Sequence, residues 1–163
     1  MSDRAFDPYE VFRTLTAHEV RFVVIGGLGA RLHGSPVITN DTDICYERSD
    51  DNLERLATAL RELGARLRGV DEGVPFQLDA RTLQAGDHFT FTTSAGSVDC
   101  LGTPAGVDGF DELARSAVTF DVDGFSVLVA SLEDLIRMKR AAGRPKDLIA
   151  AEWLSALRDE LER

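Results

Sequence analysis

Two hydrophobic periods alternate along this chain, and the switches between them outline its elements. Val11, Phe12 and Leu15, with Val20 beyond them, recur at helical spacing and predict a first helix over 8–19. Asp7 and Pro8 suit its start, because an Asp cap satisfies free N–H groups and a first-turn Pro has none to satisfy. An apolar strand over 21–25 follows, then Gly26-Gly27 and a short helix over about 28–33 that ends at Gly34. A Thr/Asn approach leads into a second strand, Asp41-Thr42-Asp43-Ile44-Cys45-Tyr46. Leu53, Leu56, Ala57, Leu60 and Leu63 return to helical spacing over 50–63, with Gly64 as the stop. Residues 66–83 read as one or two short strands with a turn at Asp71-Glu72-Gly73.

The second half is richer in period-two alternation. Residues 88–93 alternate aromatic and polar positions, and Ser94-Ala95-Gly96 turns them back into Gly96-Ser97-Val98-Asp99-Cys100-Leu101, a hairpin. A short helix near Asp111 precedes another hairpin, with arms over 117–120 and 125–129 joined by Asp121-Val122-Asp123-Gly124. Ser131 caps a helix, with Asp134 placed as in a capping box and Leu132, Leu135, Ile136 and Met138 facing inward. Gly143 breaks that helix and Pro145 starts the last, whose buried side is expected to hold Leu148, Ala151, Trp153, Leu154 and Leu157. There is no internal repeat, low-complexity run or linker, so the pattern is a mixed α/β layout.

Composition narrows the class. With 163 residues, 44% of them hydrophobic and 28% charged, the chain fits one domain with a real core. The start, Met1-Ser2-Asp3-Arg4, has no apolar run of the length that a signal peptide or membrane span needs, so a cytoplasmic protein with no membrane partner is expected. Cys45 and Cys100 form no zinc spacing and no disulfide framework, and read as small buried strand residues. The net charge of −10 argues against binding extended duplexes, because counterion release from a basic surface supplies most non-specific affinity. Lys139, Arg140, Arg144 and Lys146 still form a local basic patch able to hold a triphosphate or an RNA end.

The candidate chemistry lies in three short segments. Asp41 and Asp43 project from the same face of their strand, because side chains alternate with period two. Aligned carboxylates suit divalent cations such as Mg²⁺, which want oxygen ligands and can also grip a nucleotide's phosphates. Gly26-Gly27 lies where a strand feeds a helix, a place where the backbone can approach phosphate closely. Each pattern alone is common, and a solvated strand end or a plain turn explains either. Asp99, in an otherwise apolar strand, adds a third carboxylate that must face solvent or find a counter-ion. His18, His33 and His88 show no metal-ligand spacing and read as surface or partly buried histidines.

In this order, Gly26, Gly27, Asp41, Asp43 and Asp99 resemble the pattern of nucleotidyltransferases of the DNA polymerase beta superfamily. A second resemblance covers residues 132–148, where Lys139 and then Arg144-Pro145-Lys146-Asp147 look like the Lys and Arg-x-Lys-Asp segment of the AbiEii-like branch, the toxins of abortive-infection and toxin–antitoxin systems. Together the two span roughly 22–157. The resemblance implies a single domain of the nucleotidyltransferase fold, a mixed β-sheet with helices packed mainly on one face and C-terminal helices. It also implies transfer of an NMP from an NTP to an RNA end, a protein hydroxyl or a small molecule, with an antitoxin as a further partner. Asp41, Asp43 and Asp99 would hold two Mg²⁺ ions, Gly26 and Gly27 would cradle phosphate, and Lys139, Lys146 and Asp147 would serve the nucleotide, Lys139 catalytically.

Two features depart from the branch. Val37 stands where its members often carry Arg, and 163 residues leave no room for the larger toxins' additional C-terminal region. An antibiotic-type small-molecule nucleotidyltransferase, or a non-catalytic binding module of the same fold, are the alternatives. Retention of all three Asp residues speaks against the module.

Overall fold

Hairpins and long-range parallel pairings build one mixed sheet, and its register is what brings distant residues together. The computed structural model describes residues 5–69 and 76–163; the turn expected at Asp71-Glu72-Gly73 lies outside them. In chain order the elements are α1 (Pro8–Ala17), β1 (Phe22–Ile25), α2 (Gly26–Leu32), β2 (Asp41–Tyr46), α3 (Asp50–Glu62), β3 (Arg66–Leu67) and α4 (Ala80–Ala85). They continue with β4 (His88–Thr93), β5 (Gly96–Leu101), α5 (Phe110–Ser116), β6 (Val118–Val122), β7 (Phe125–Val129), α6 (Leu132–Ala142) and α7 (Pro145–Leu161). The strand order is β3-β4-β5-β2-β1-β7-β6. The β4/β5 and β6/β7 hairpins are antiparallel, as is β1 with β2, whereas β2 with β5 and β1 with β7 run parallel.

Alternation along the central strands feeds two apolar layers. Phe22, Val24, Ile44 and Tyr46 pack with Val11, Phe12 and Leu15 of α1 and with Leu53, Leu56 and Leu60 of α3. Val23, Ile25 and Cys45 point the other way, against Phe110 and Leu113 of α5, Leu135 and Ile136 of α6, and Ala151 and Leu154 of α7. The mixed sheet and the C-terminal helices are as expected. The helices, however, divide between both faces instead of gathering mainly on one, because the α6–α7 pair brings its own apolar stripe to the second face.

Local signals set most helix ends. Asp7 accepts a hydrogen bond from Glu10 N–H at 3.2 Å, and Ser131 accepts one from Asp134 N–H at 3.1 Å; caps of this kind contribute about 1 kcal/mol each. The Asp134 carboxylate does not reach back to complete a capping box. It accepts instead from Ser116 Oγ (2.7 Å) and Arg137 (2.9 Å), tying α6 to the end of α5. Gly143 ends α6 with φ of 71°, and Pro145 opens α7.

Two further expectations fail. Residues 80–85 are helical where only strands were expected over 66–83, since a six-residue helix with Leu83 as its buried residue leaves no periodic signal; Asp79, capping Thr82 N–H at 2.8 Å, is the local cue. Trp153 and Leu148 are exposed, not buried, because α7 uses Ala151 and Leu154 for its inward stripe. Cys45 and Cys100 are free and buried, on opposite faces of neighbouring strands. Among the described residues no helix is long and apolar enough to cross a membrane.

Candidate active site

Strand register assembles the acidic part of the site. β2 and β5 pair in parallel with Asp43 opposite Asp99 and Asp41 opposite Ser97, while β1 pairs with β2 so that Ile25 lies opposite Asp43. All three carboxylates therefore occupy the sheet face that carries α5, α6 and α7. Gly26 follows Ile25 directly, so the strand-to-helix turn abuts Asp43. The loop after β5 and the middle of α6 close over this corner, leaving a cavity of about 240 Å³ onto which Gly26, Asp43, His88, Asp99, Lys139 and Arg144 open.

The carboxylate pair is electrostatically unfinished. Oδ1 of Asp43 and Oδ1 of Asp99 are buried and lack a hydrogen-bond partner. Burial first, then the charges of Asp99 and Asp41, push the Asp43 carboxyl from 3.8 up to about 7, against the pull of Lys139. Two carboxylates side by side in a poorly solvated cleft repel each other, and only a proton or a cation relieves that repulsion.

Gly26 is held in a left-handed conformation, φ 66°, and a Cβ there would fall within the van der Waals envelope of Asp43 Oδ2. Gly27 has no left-handed φ, and its added Cβ would stand 3.2 Å from both Cβ and Oγ1 of Thr39, a tight contact that a shift of a few tenths of an ångström relieves. Gly26→Ala is thus expected to lose about 1–2 kcal/mol from backbone strain alone and to displace Asp43. Gly27→Ala should lose well under half as much. Thermal unfolding of the two variants tests this; equal losses would show that the Gly26–Asp43 contact does not constrain the turn.

A cationic cluster faces the acids from the α6–α7 junction. Asp147, only 1% exposed, accepts from Arg144 Nε at 2.6 Å and from the Arg144 backbone N–H at 3.3 Å, and lies 3.6 Å from Lys139 Nζ. The Arg144 hydrogen bond holds the Asp147 carboxyl below its ordinary range, with Lys139 adding to the effect. Asp147 therefore acts as a buried anchor that orients Lys139 and Arg144. At the other end of α6, His33 Nε2 lies 2.8 Å from the carbonyl of Ala130, which links the end of α2 to the start of α6.

No family model matches the chain, and no curated protein does. Solved structures do. Lincosamide antibiotic adenylyltransferase LnuA with lincomycin bound shares 14% identity at a TM-score of 0.60, over 94% of this chain and 99% of that one. ANT(2'')-Ia in complex with adenylyl-2''-tobramycin shares 15% at 0.54, over 94% and 96%. A candidate nucleotidyltransferase from Thermotoga maritima shares 18% at 0.54, over 96% and 91%. The fold is that of the nucleotidyltransferases. At these identities the likeness reaches the fold alone, and the site has to be argued from its own residues.

Divalent cations are the groups this fold implies. Among the described residues no cluster of three or more His, Cys, Asp or Glu side chains could hold a metal ion by itself. The Asp43–Asp99 pair nevertheless fits a hard cation, since Mg²⁺ binds through one or two carboxylates and completes its shell with water and phosphate oxygens. The two orphaned Oδ1 atoms are the acceptors such an ion would use.

Of the residues singled out from the sequence, Gly26, Asp43, Asp99, Lys139 and Asp147 border one cavity. Asp41 sits two residues along the same strand face, outside it. Gly27 and Lys146 border an adjoining cavity, which shares Gly26, Lys139 and Leu154 with the first. His88, expected as a surface or partly buried histidine, is exposed and stands on the acidic cavity's rim, a position sequence reasoning passed over. Trp153, read as core, was passed over as well. A lone aromatic or histidine carries no local signal; the pairing of His88 with Leu101 and the turn of α7 place them.

Proposed function

We propose that the protein is a metal-dependent nucleotidyltransferase that moves an NMP group from an NTP to a hydroxyl acceptor. The observation that carries this reading is the Asp43–Asp99 pairing: two half-buried carboxylates, each with one buried, unsatisfied oxygen, beside a left-handed glycine turn and opposite a lysine. An acceptor oxygen attacks the α-phosphorus, the bond from that phosphorus to the bridging oxygen breaks, and pyrophosphate leaves. Asp41, Asp43 and Asp99 would hold two Mg²⁺ ions, which when bound supply charge neutralisation and a more acidic acceptor hydroxyl. Gly26 and Gly27 present backbone N–H groups to phosphate oxygens. Lys139, oriented by Asp147, neutralises charge on the triphosphate, with Lys146 beyond it. Asp99 helps to take the acceptor's proton. Positioning and charge stabilisation would account for most of the acceleration.

The acceptor that fits best is a small molecule. The net charge of −10 disfavours a polyanion, and an acidic cleft suits a cationic or neutral ligand. The neighbours' acceptors are of this kind: lincomycin is bound to LnuA, and ANT(2'')-Ia is seen with adenylylated tobramycin. A second reading, an AbiEii-like toxin acting on an RNA end or a protein and held in check by an antitoxin, draws support from Lys139, Arg144, Lys146 and Asp147 gathering at the site. A transfer assay decides between them. NTPs labelled at the α-phosphate, incubated with Mg²⁺ and an antibiotic panel, total RNA or cell lysate, should label the small-molecule fraction, and Asp41→Ala should abolish it. Absence of NTP binding by calorimetry would leave the non-catalytic module.

A further inference from the structure

The cavity that adjoins the acids has a character of its own. It measures about 320 Å³, within the range of small-ligand sites, and its walls are largely apolar. One wall is a stripe of α7: Lys146, Ile149, Ala150 and Trp153 recur at i, i+3, i+4 and i+7 and so share a helix face. Val37 and Gly27 stand among the other walls. Trp153, 59% exposed, lines this cavity together with the exposed Ile149 and Val37, a contiguous apolar patch of the kind that marks a ligand-binding groove. Lys146 makes no ion pair among the described residues, and Lys139 borders both cavities. An apolar slot with an aromatic ring and two ammonium groups at its mouth matches a ligand with one flat, weakly polar end and one anionic end.

The geometry points to Trp153 as the platform on which the nucleobase of the bound NTP stacks, with Ile149 and Val37 enclosing it and the phosphates passing Lys139 toward Gly26. This rests on the nucleotidyltransferase reading and adds where the base sits. Stacking tolerates any base, because every base has a π-face, so the site should accept several NTPs with similar affinity. The base then occupies the Trp153 side, and the acidic cavity near His88 is left for the acceptor.

Calorimetry with Mg²⁺ and α,β-methylene-ATP tests both levels separately. The wild type should bind the analogue, and Trp153→Ala, a change at an exposed position, should bind it about 10- to 100-fold more weakly. Trp153→Phe should restore most of the affinity. Inorganic tripolyphosphate should bind wild type and Trp153→Ala alike, and only the nucleotide should quench the single tryptophan's fluorescence. If wild type and Trp153→Ala bind the analogue equally, the platform is wrong while the enzymatic reading stands. If the wild type binds no nucleotide, both fall.

Discussion

Asp43→Asn should abolish nucleotidyl transfer while making the cation-free protein more stable. The loss of activity is expected to reach at least about 10²–10³-fold, the scale of deleting one pre-placed charge-stabilising group from an active site. The gain in stability follows from the same carboxylate. Asp43 is half-buried beside Asp99, with one buried and unsatisfied oxygen, so near neutral pH its charge opposes folding. An amide of nearly the same shape removes that charge and can donate an N–H to the Asp99 carboxylate across the strand pair. Unfolding in EDTA at pH 8 should show a higher midpoint than wild type, and a steady-state transfer assay should show no turnover. A variant that lost both stability and activity would mean that Asp43 is a structural carboxylate with partners of its own. The trade of stability for chemistry is what a functional site built against local electrostatics should display.

The second large effect is on pH. The folded-state value for Asp43 is raised, so its protonated form is the one the fold prefers. Stability is then fully present below the unfolded value of 3.8 and is lost as pH rises toward about 7, above which the deficit is constant. At about 1.4 kcal/mol for each tenfold change in proton affinity, the loss is on the order of 4 kcal/mol, or on the order of 10 °C in the midpoint for a chain of this size. Other groups run the opposite way: Asp147, Asp79 and Glu47 are held low by hydrogen bonds and ion pairs, and their contributions are lost on acidification. The measurement is therefore the difference between wild type and Asp43→Asn from pH 4 to 8 in EDTA. That difference should widen with pH and close again in saturating Mg²⁺, because an ion that binds the ionised pair stabilises by linkage. A flat difference would show that the pair is solvated in solution and exerts no such penalty.

The two effects share a cause with the Gly26 turn. A left-handed glycine, two facing acids and a lysine held by a buried aspartate are each unfavourable or constrained alone. Together they define a corner whose missing component is cationic and whose incoming component is anionic. Under the proposed function, a metal–nucleotide complex would supply both.

Much of this was present in the residue pattern. Period-two alternation puts Asp41 and Asp43 on one face whatever the fold around them, and Gly26-Gly27 marks a strand-to-helix turn, Gly26 through glycine's freedom at positive φ. Caps at Asp7 and Ser131, the Gly143 stop and the Pro145 start lie in local chemistry, which a sequence carries without help from the fold. The tertiary structure decided what depends on pairing at a distance. Nothing local dictates that β5 runs parallel to β2 in the one register that sets Asp99 against Asp43, since a slip of one residue would turn Asp99 to the opposite face. Nor does the apolar spacing of α7 separate Leu148 and Trp153, expected on its buried side but exposed, from Ala151 and Leu154. Docking against α6 buries Ala151 and Leu154 and leaves Ile149 and Trp153 beside the site, because only one side of an apolar helix can meet the core.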